Sequence, residues 1–394
     1  MSRTLLDYCP STCLVCGSEA HGQHFGVETC RACAAFFRRS AAHREDEYVC
    51  KRARSPCEFK NTFCKYCRLQ KCQQVGMSRC FKKVTPPKTV FELSDLAERV
   101  TSQDRLLYCV WHPITKQPTK WINVEPIIKR SRHVLDTYEL PRDPQYQLLN
   151  SLEKMSFSLD RLRSSQSQNP KLETAMNFDV YFLTWEANMV RAAEWLMHSH
   201  EFRQLPAHEK LAFFKITWAV WRRFERMSMS ADVLGKRSVE RKMYLLDDKR
   251  AAEWTEVRLD ASDYWKKGAE KYRHNARENL QLYFEGVVRP CLEWKFSPIE
   301  ISFAISQIVW SYAGRKLLGQ TLAAGELFLE RISNDLHEYY RRRHIHNYAA
   351  RLSVIMDMVN FVLKIQAEHE KRMEMVMLFD MMSVQLSDPQ FFCV

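Results

Sequence analysis

Cys13-Leu-Val-Cys16 and, thirteen residues on, Cys30-Arg-Ala-Cys33-Ala-Ala-Phe-Phe-Arg-Arg39 decide how this chain is read. Two Cys-x2-Cys pairs are the ligand arithmetic of a tetrahedral thiolate site, four sulfurs at about 2.3 Å from one zinc ion. The second pair does not end in a turn. It runs into Ala34 to Arg44, a helix-favouring segment with an apolar ridge at Phe36 and Phe37 and a basic face at Arg38 and Arg39. A metal that fixes the first turn of a basic helix, while two aromatics plug that helix into a small core, turns the opposite face toward a groove in a duplex. Structural zinc also builds protein-contact modules. The Phe-Phe-Arg-Arg continuation and a second cysteine group downstream favour reading DNA.

Charge and cysteine placement agree. The net charge is +12, and residues 1–84 carry fifteen Lys/Arg against seven Asp/Glu, so most of the basic excess sits on the zinc region, as a polyanionic partner requires. Eleven of the fourteen cysteines precede residue 81, while Cys109, Cys291 and Cys393 stand apart. Paired spacing without a signal peptide implies metal thiolates in a reducing, intracellular compartment rather than a disulfide framework. No stretch approaches the roughly 18–20 apolar residues of a membrane span.

Further residues extend the pattern: His21-Gly22-x-His24-Phe25-Gly26-Val27, Tyr48-x-Cys50, and Cys67-Arg68-Leu69-x-Lys71-Cys72-x3-Gly76-Met77. With the two opening stretches they cover residues 13–77 almost continuously, and they closely resemble the nuclear hormone receptor family, in its nematode-type supplementary branch. The resemblance implies two zinc ions per chain. Cys13, Cys16, Cys30 and Cys33 would hold one, and Cys50, Cys57, Cys64 and Cys67 the other. It places the first helix in the major groove, with Arg31, Ala34, Ala35 and Arg38 at base-facing positions and His24, Arg39, Arg68 and Lys71 at phosphate-gripping ones. Arg31 stands where well-defined receptors have an acidic residue and Ala34 where they have lysine, so the usual hexamer is not transferred. Phe25 replaces the usual tyrosine. Cys72 reads as a buried apolar residue rather than a fifth ligand. The second module's loops, six residues each, depart from the family's five and nine, which weakens the expectation of dimer contacts on DNA by that route.

The domain division expected is a short N-terminal tail at 1–12, the zinc DNA-binding domain at 13–84, a hinge at 85–140 punctuated by Pro86, Pro87, Pro113, Pro118 and Pro126, and a helical domain at 141–394. Trp111 and Trp121 argue against a featureless linker. Leu148, Leu149, Leu152, Met155 and Leu159 keep the spacing of one helix face. So do the apolar residues from Tyr181 to Leu196 and from Leu211 to Trp221, and those of Ile299 to Trp310, Leu317 to Leu336 and Leu352 to Leu363. Only Arg241 to Leu246 hints at a small β-turn. Phe202-x2-Leu205-x3-Glu209-Lys210-x2-Phe213-Phe214-Lys215-x2-Trp218 resembles the receptors' ligand-binding domain. The fold class expected is thus a small α zinc-bound DNA-binding domain of two four-cysteine modules, then an all-α helical-sandwich ligand-binding domain enclosing an apolar cavity.

Receptors of this family clamp a coactivator helix between a lysine and a glutamate of the last helix. Here Met197 or His198 falls at the lysine position. Met377 to Met382 reads either as an acidic activation helix or as the end of a long buried helix running from Arg351. The ligand-contacting residues are not assigned. Enzyme motifs are absent: His208-Glu209, His337-Glu338 and His369-Glu370 lack the following histidine of a zinc protease, and no phosphate loop or nucleophile elbow occurs. His198 with His200, and His344 with His346, are read as core or surface histidines. The expectation is a nuclear, sequence-specific transcription factor. It would bind double-stranded DNA and coregulators, work as a homo- or heterodimer and respond to a small lipophilic ligand. A ligand-independent repressor or dimerisation platform, and a zinc-based protein-interaction scaffold, are the rival readings.

Overall fold

The computed structural model describes residues 12–25, 27–40, 48, 50, 64–77, 90–91, 107–111, 118–260, 265–266, 280–379 and 381–388. In the N-terminal part a short hairpin, β1 (Gln23–His24) and β2 (Val27–Glu28), leads into helix α1 (Arg31–Ser40). Alanine, arginine and two phenylalanines carry α1, and its apolar ridge of Cys33, Phe36 and Phe37 is buried. Helix α2 (Lys65–Gln74) packs across α1, burying Leu69 and Cys72. The core they share also holds Val15, Val27 and Met77, and Phe25 in the hairpin turn meets Phe37 edge-on at 5.1 Å. Helix α2 stops at Gly76, whose φ of 92° only glycine adopts without strain, and the Met77 N–H returns to the Cys72 carbonyl.

The C-terminal part is mostly helical. Helices α3 (Glu125–Thr137), α4 (Pro144–Leu148), α5 (Ser151–Arg163), α6 (Phe178–Leu196), α7 (His200–Gln204) and α8 (Ala207–Leu234) come first, then a single turn α9 (Arg237–Glu240). A helix over residues 280–294 follows, with a π-helical stretch at Phe284–Val288 and an α-helical end, α10 (Arg289–Trp294). The remaining helices are α11 (Pro298–Gly314), α12 (Gln320–Arg342) and the thirty-residue α13 (Ala349–Leu378). Helix α11 is buried on nearly every side between α5, α8, α12 and α13, the middle layer of a helical sandwich. Its start is fixed by a capping box between Ser297 and Glu300. Within the π stretch, Gly286 lets α13 approach closely: a Cβ there would meet the Phe361 ring at 1.9 Å.

Two findings revise the expectations, and a third decides between two readings left open. First, Leu148 does not share the α5 face. Asn150 caps α5 through a capping box with Glu153, which breaks the chain from α4 and leaves Leu148 86% exposed. Second, α3 lies in the span read as hinge, yet Ile127, Ile128 and Leu135 join the large core. The proline at its second position starts a helix rather than ending one. Strands β3 (Val90–Phe91), β4 (Leu107–Trp111) and β5 (Pro118–Ile122) form an antiparallel sheet there, and Trp111 and Trp121 lie in β4 and β5.

Third, α13 runs to Leu378, so Met377 and Leu378 are the end of the long helix; Asp380 lies outside the described residues, and Val384–Leu386 beyond it form a strand. Strand β6 (Lys171–Glu173) joins a hairpin of β8 (Met243–Leu245) and β9 (Arg250–Glu253), the turn hinted at in Arg241 to Leu246. Strand β7 (Ala175–Asn177) pairs with β10 (Arg258–Asp260). The tail strand β11 (Val384–Leu386) adds in parallel to β5. The Ser387 N–H donates to the Ile122 carbonyl at 3.0 Å, the Val124 N–H donates to Ser387 Oγ at 2.9 Å, and Lys215 Nζ of α8 meets Asp388 Oδ2 at 2.5 Å.

Candidate metal centre and nucleic-acid interface

Backbone geometry brings the first four cysteines together. Gly17, at φ 73°, closes a knuckle in which its N–H donates to the Cys13 carbonyl at 2.8 Å, and the Cys13 N–H reaches the Ser18 carbonyl at 2.7 Å. Cys30 and Cys33 span the start of α1, where the Cys33 and Ala34 amides both donate to the Cys30 carbonyl. The sulfurs of Cys13, Cys16, Cys30 and Cys33 lie within 4.8 Å of one another, with Cys16 and Cys30 at 3.6 Å. A tetrahedron of thiolates at about 2.3 Å from zinc has edges of about 3.8 Å, so the residues fit that ion. Burial pushes the Cys30 and Cys33 thiols up, and a bound cation offsets this by holding all four as thiolates.

Cys50, Cys64 and Cys67 form a second group within 4.8 Å, with Cys50 and Cys67 sulfurs 3.6 Å apart. Cys57, the fourth ligand expected, lies outside the described residues. Cys64 opens α2, where the Arg68 N–H donates to its carbonyl, as Cys30 opens α1. Cys72 is fully buried in the shared core and belongs to neither group.

Arg31, Ala34, Ala35 and Arg38 follow i, i+3, i+4 and i+7 and share one face of α1. That face meets the end of α13. The Arg31 guanidinium lies over the Phe379 ring at 5.8 Å, Arg38 approaches Glu374 at 3.8 Å, and Ala34 is fully covered. Arg39 is exposed in the last turn of α1, and Lys71 is half-buried on α2. His24 is buried at the hairpin. Arg68 donates from Nη2 to Cys33 Sγ at 3.2 Å and stacks over Phe36 at 4.6 Å, two contacts that its place in the sequence did not suggest.

In the helical part, Met197 and His198 are both buried. His198 is held from both sides, Nε2 to the Tyr138 hydroxyl at 2.9 Å and Nδ1 to the Tyr146 hydroxyl at 2.8 Å. Burial lowers its pKa to about 4, with the Arg161 and Arg203 charges acting the same way, so the imidazole is neutral at physiological pH. Neither residue presents a cation at the surface. A buried ionic network also escaped the sequence reading. Arg163 of α5 donates to Glu225 at 3.0 Å and to Ser228 at 2.7 Å. Arg226 contacts Glu225 at 2.6 Å and Asp248 at 3.1 Å, and Arg191 pairs with Asp248. Burial opposes charge on Asp248, yet Arg191, Ser165 and Arg226 hold its carboxyl far below the usual range. Only proximity in the fold reveals the network, because its members come from distant segments of the sequence.

Among the described residues no helix is long and apolar enough to cross a membrane. Compared with known families, residues 11–79 match the double treble clef zinc finger of C4 type, and residues 166–379 match the ligand-binding domain of nuclear hormone receptor. Three proteins of Caenorhabditis elegans are similar along nearly their whole length. Nuclear hormone receptor family member nhr-54 is 42% identical, over 99% of this chain and 98% of that one. Family member nhr-213 is 31% identical over 93% and 91%, and nhr-55 is 30% identical over 99% and 95%.

Proposed function

The chain belongs to the nuclear hormone receptor family, a zinc-finger transcription factor rather than an enzyme, and from that premise we propose that it binds double-stranded DNA sequence-specifically in the nucleus, with two zinc ions per chain. Zinc, when bound, ties the Cys13–Cys16 knuckle to the first turn of α1 and fixes the direction in which that helix projects. Cys50, Cys57, Cys64 and Cys67 would do the same for α2. Arg31 and Arg38 then reach base edges, and Ala34 and Ala35 allow close approach or meet a thymine methyl. His24, Arg39, Arg68 and Lys71 set register on phosphates.

The observation that carries this reading is a Cys-x2-Cys pair built into the start of a basic helix whose aromatic ridge is buried and whose arginines are not part of the core. Selection from a randomised DNA pool by the full chain tests it. One short enriched motif supports the reading, and motif-free retention points to a protein-interaction scaffold instead.

For the helical part, read from the sequence as 141–394 after a hinge at 85–140 but taking in α3 from that span, the family supports a small apolar ligand, coregulators and a dimer partner. A second reading has its own observation. Among the described residues after α13, Val384–Leu386 are seated as strand β11, tied by Ser387 and Asp388, and none is helical. This favours a ligand-independent repressor or dimerisation platform. An apolar compound that raises the melting temperature of the full chain would support the ligand reading and count against this one.

A further inference from the structure

Arg68 links two metal sites that the sequence keeps apart. It follows Cys67, a ligand of the second group, and its guanidinium reaches Cys33, a ligand of the first, with Nη2 at 3.2 Å from Sγ. The plane is steadied by the Phe36 ring at 4.6 Å, so the edge of the fork is what meets the sulfur. Cys33 is fully buried. A zinc ion with four thiolates carries a net charge of −2, and at Cys33 part of that charge sits where water does not reach. A charged N–H donor there stabilises the thiolate and fixes its direction. Lysine would supply charge without the flat fork.

We propose that Arg68 is a positioning residue of the first metal centre and the clamp that joins the two zinc modules, and that this role is separate from any phosphate contact. The proposal rests on the zinc reading of Cys13, Cys16, Cys30 and Cys33. It makes α1 and α2 mutually dependent: loss of Arg68 loosens the metal of the first group although Arg68 belongs to the helix of the second.

The test compares the full wild-type chain with Arg68→Gln, Arg68→Lys and Lys71→Gln. Zinc release to a chromophoric chelator and the thiolate-to-metal charge-transfer band of the cobalt-substituted chain are measured, and DNA affinity is followed separately. Arg68→Gln is expected to release one of the two zinc ions about tenfold faster and to shift the charge-transfer band, with Arg68→Lys between it and wild type. Lys71→Gln should weaken DNA binding and leave both metal readouts unchanged. If Arg68→Gln fails to fold, Arg68→Lys carries the comparison. Wild-type release rates and an unshifted band in the Arg68 variants, with DNA affinity lost as in Lys71→Gln, would overturn the proposal. A wild-type chain that takes up neither zinc nor cobalt would overturn the metal reading beneath it.

Discussion

At the scale of single residues, role follows from what surrounds each charge. Arg38 sits at the i+7 position of the face that Arg31 opens, 3.8 Å from Glu374 and outside the apolar core. Arg38→Ala should weaken DNA binding by about 1–3 kcal/mol and flatten preference at one base position. Affinities for the enriched motif and its single-base variants check this, and a uniform loss across them would remove the base-reading role. His198 makes a prediction about pH. The folded chain keeps it neutral down to about pH 4, whereas in the unfolded chain it takes up a proton near 6.5. Stability is therefore lost as pH falls from about 6.5 toward 4, by on the order of 3 kcal/mol across the window. The wild-type minus His198→Gln difference in urea midpoints should shrink over that range, and a pH-independent difference would contradict it. The cysteines that the fold gathers into two groups were legible because short spacings announce them. Arg68 on Cys33 and Arg226 on Asp248 were not, because each contact depends on a fold that joins distant segments.

At the scale of elements, apolar spacing located α5, α6, α8, α11, α12 and α13 but not α3 or the helix over 280–294, and local capping chemistry decided where helices start and stop. Leu148 and Leu152 fit one periodic face, yet Asn150 and Glu153 place a helix start between them. The Leu317 to Leu336 run likewise begins its helix only after Gly319, at φ 69°. Strand β11 could not be read at all: three residues carry little periodicity, and their partner β5 lies in a remote part of the sequence. Its anchor is Asp388 on Lys215, 8% and 21% exposed. Asp388→Asn should lower unfolding free energy by about 2 kcal/mol, measured in urea, by weakening a charged hydrogen bond. An unchanged midpoint would mean that the tail is not held at α8.

At the scale of the whole molecule, the face of α1 that we propose reads bases is the one that the end of α13 meets. Glu374 and Phe379 face Arg38 and Arg31, so on the proposed reading DNA enters only when they withdraw. Both contacts are individually weak, a partly exposed ion pair at 3.8 Å and a distant cation–π approach. The double variant Glu374→Ala with Phe379→Ala should therefore bind DNA about two- to fivefold more tightly than wild type in the full chain. Equal affinities would show that the contact does not restrain binding. Charge placement had announced a basic N-terminal part and apolar spacing a helical remainder, but not this meeting of the two, which depends on long-range packing.

The central claim is that metal-held cysteines aim α1 at DNA. The most direct measurement titrates zinc out of the full chain while following its affinity for the enriched motif and for a scrambled duplex, at about 150 mM salt, where non-specific phosphate binding is already weakened. Discrimination between the two duplexes is predicted to vanish in step with metal loss, leaving only salt-sensitive, sequence-blind binding. Discrimination that survives complete removal of the metal would contradict the account.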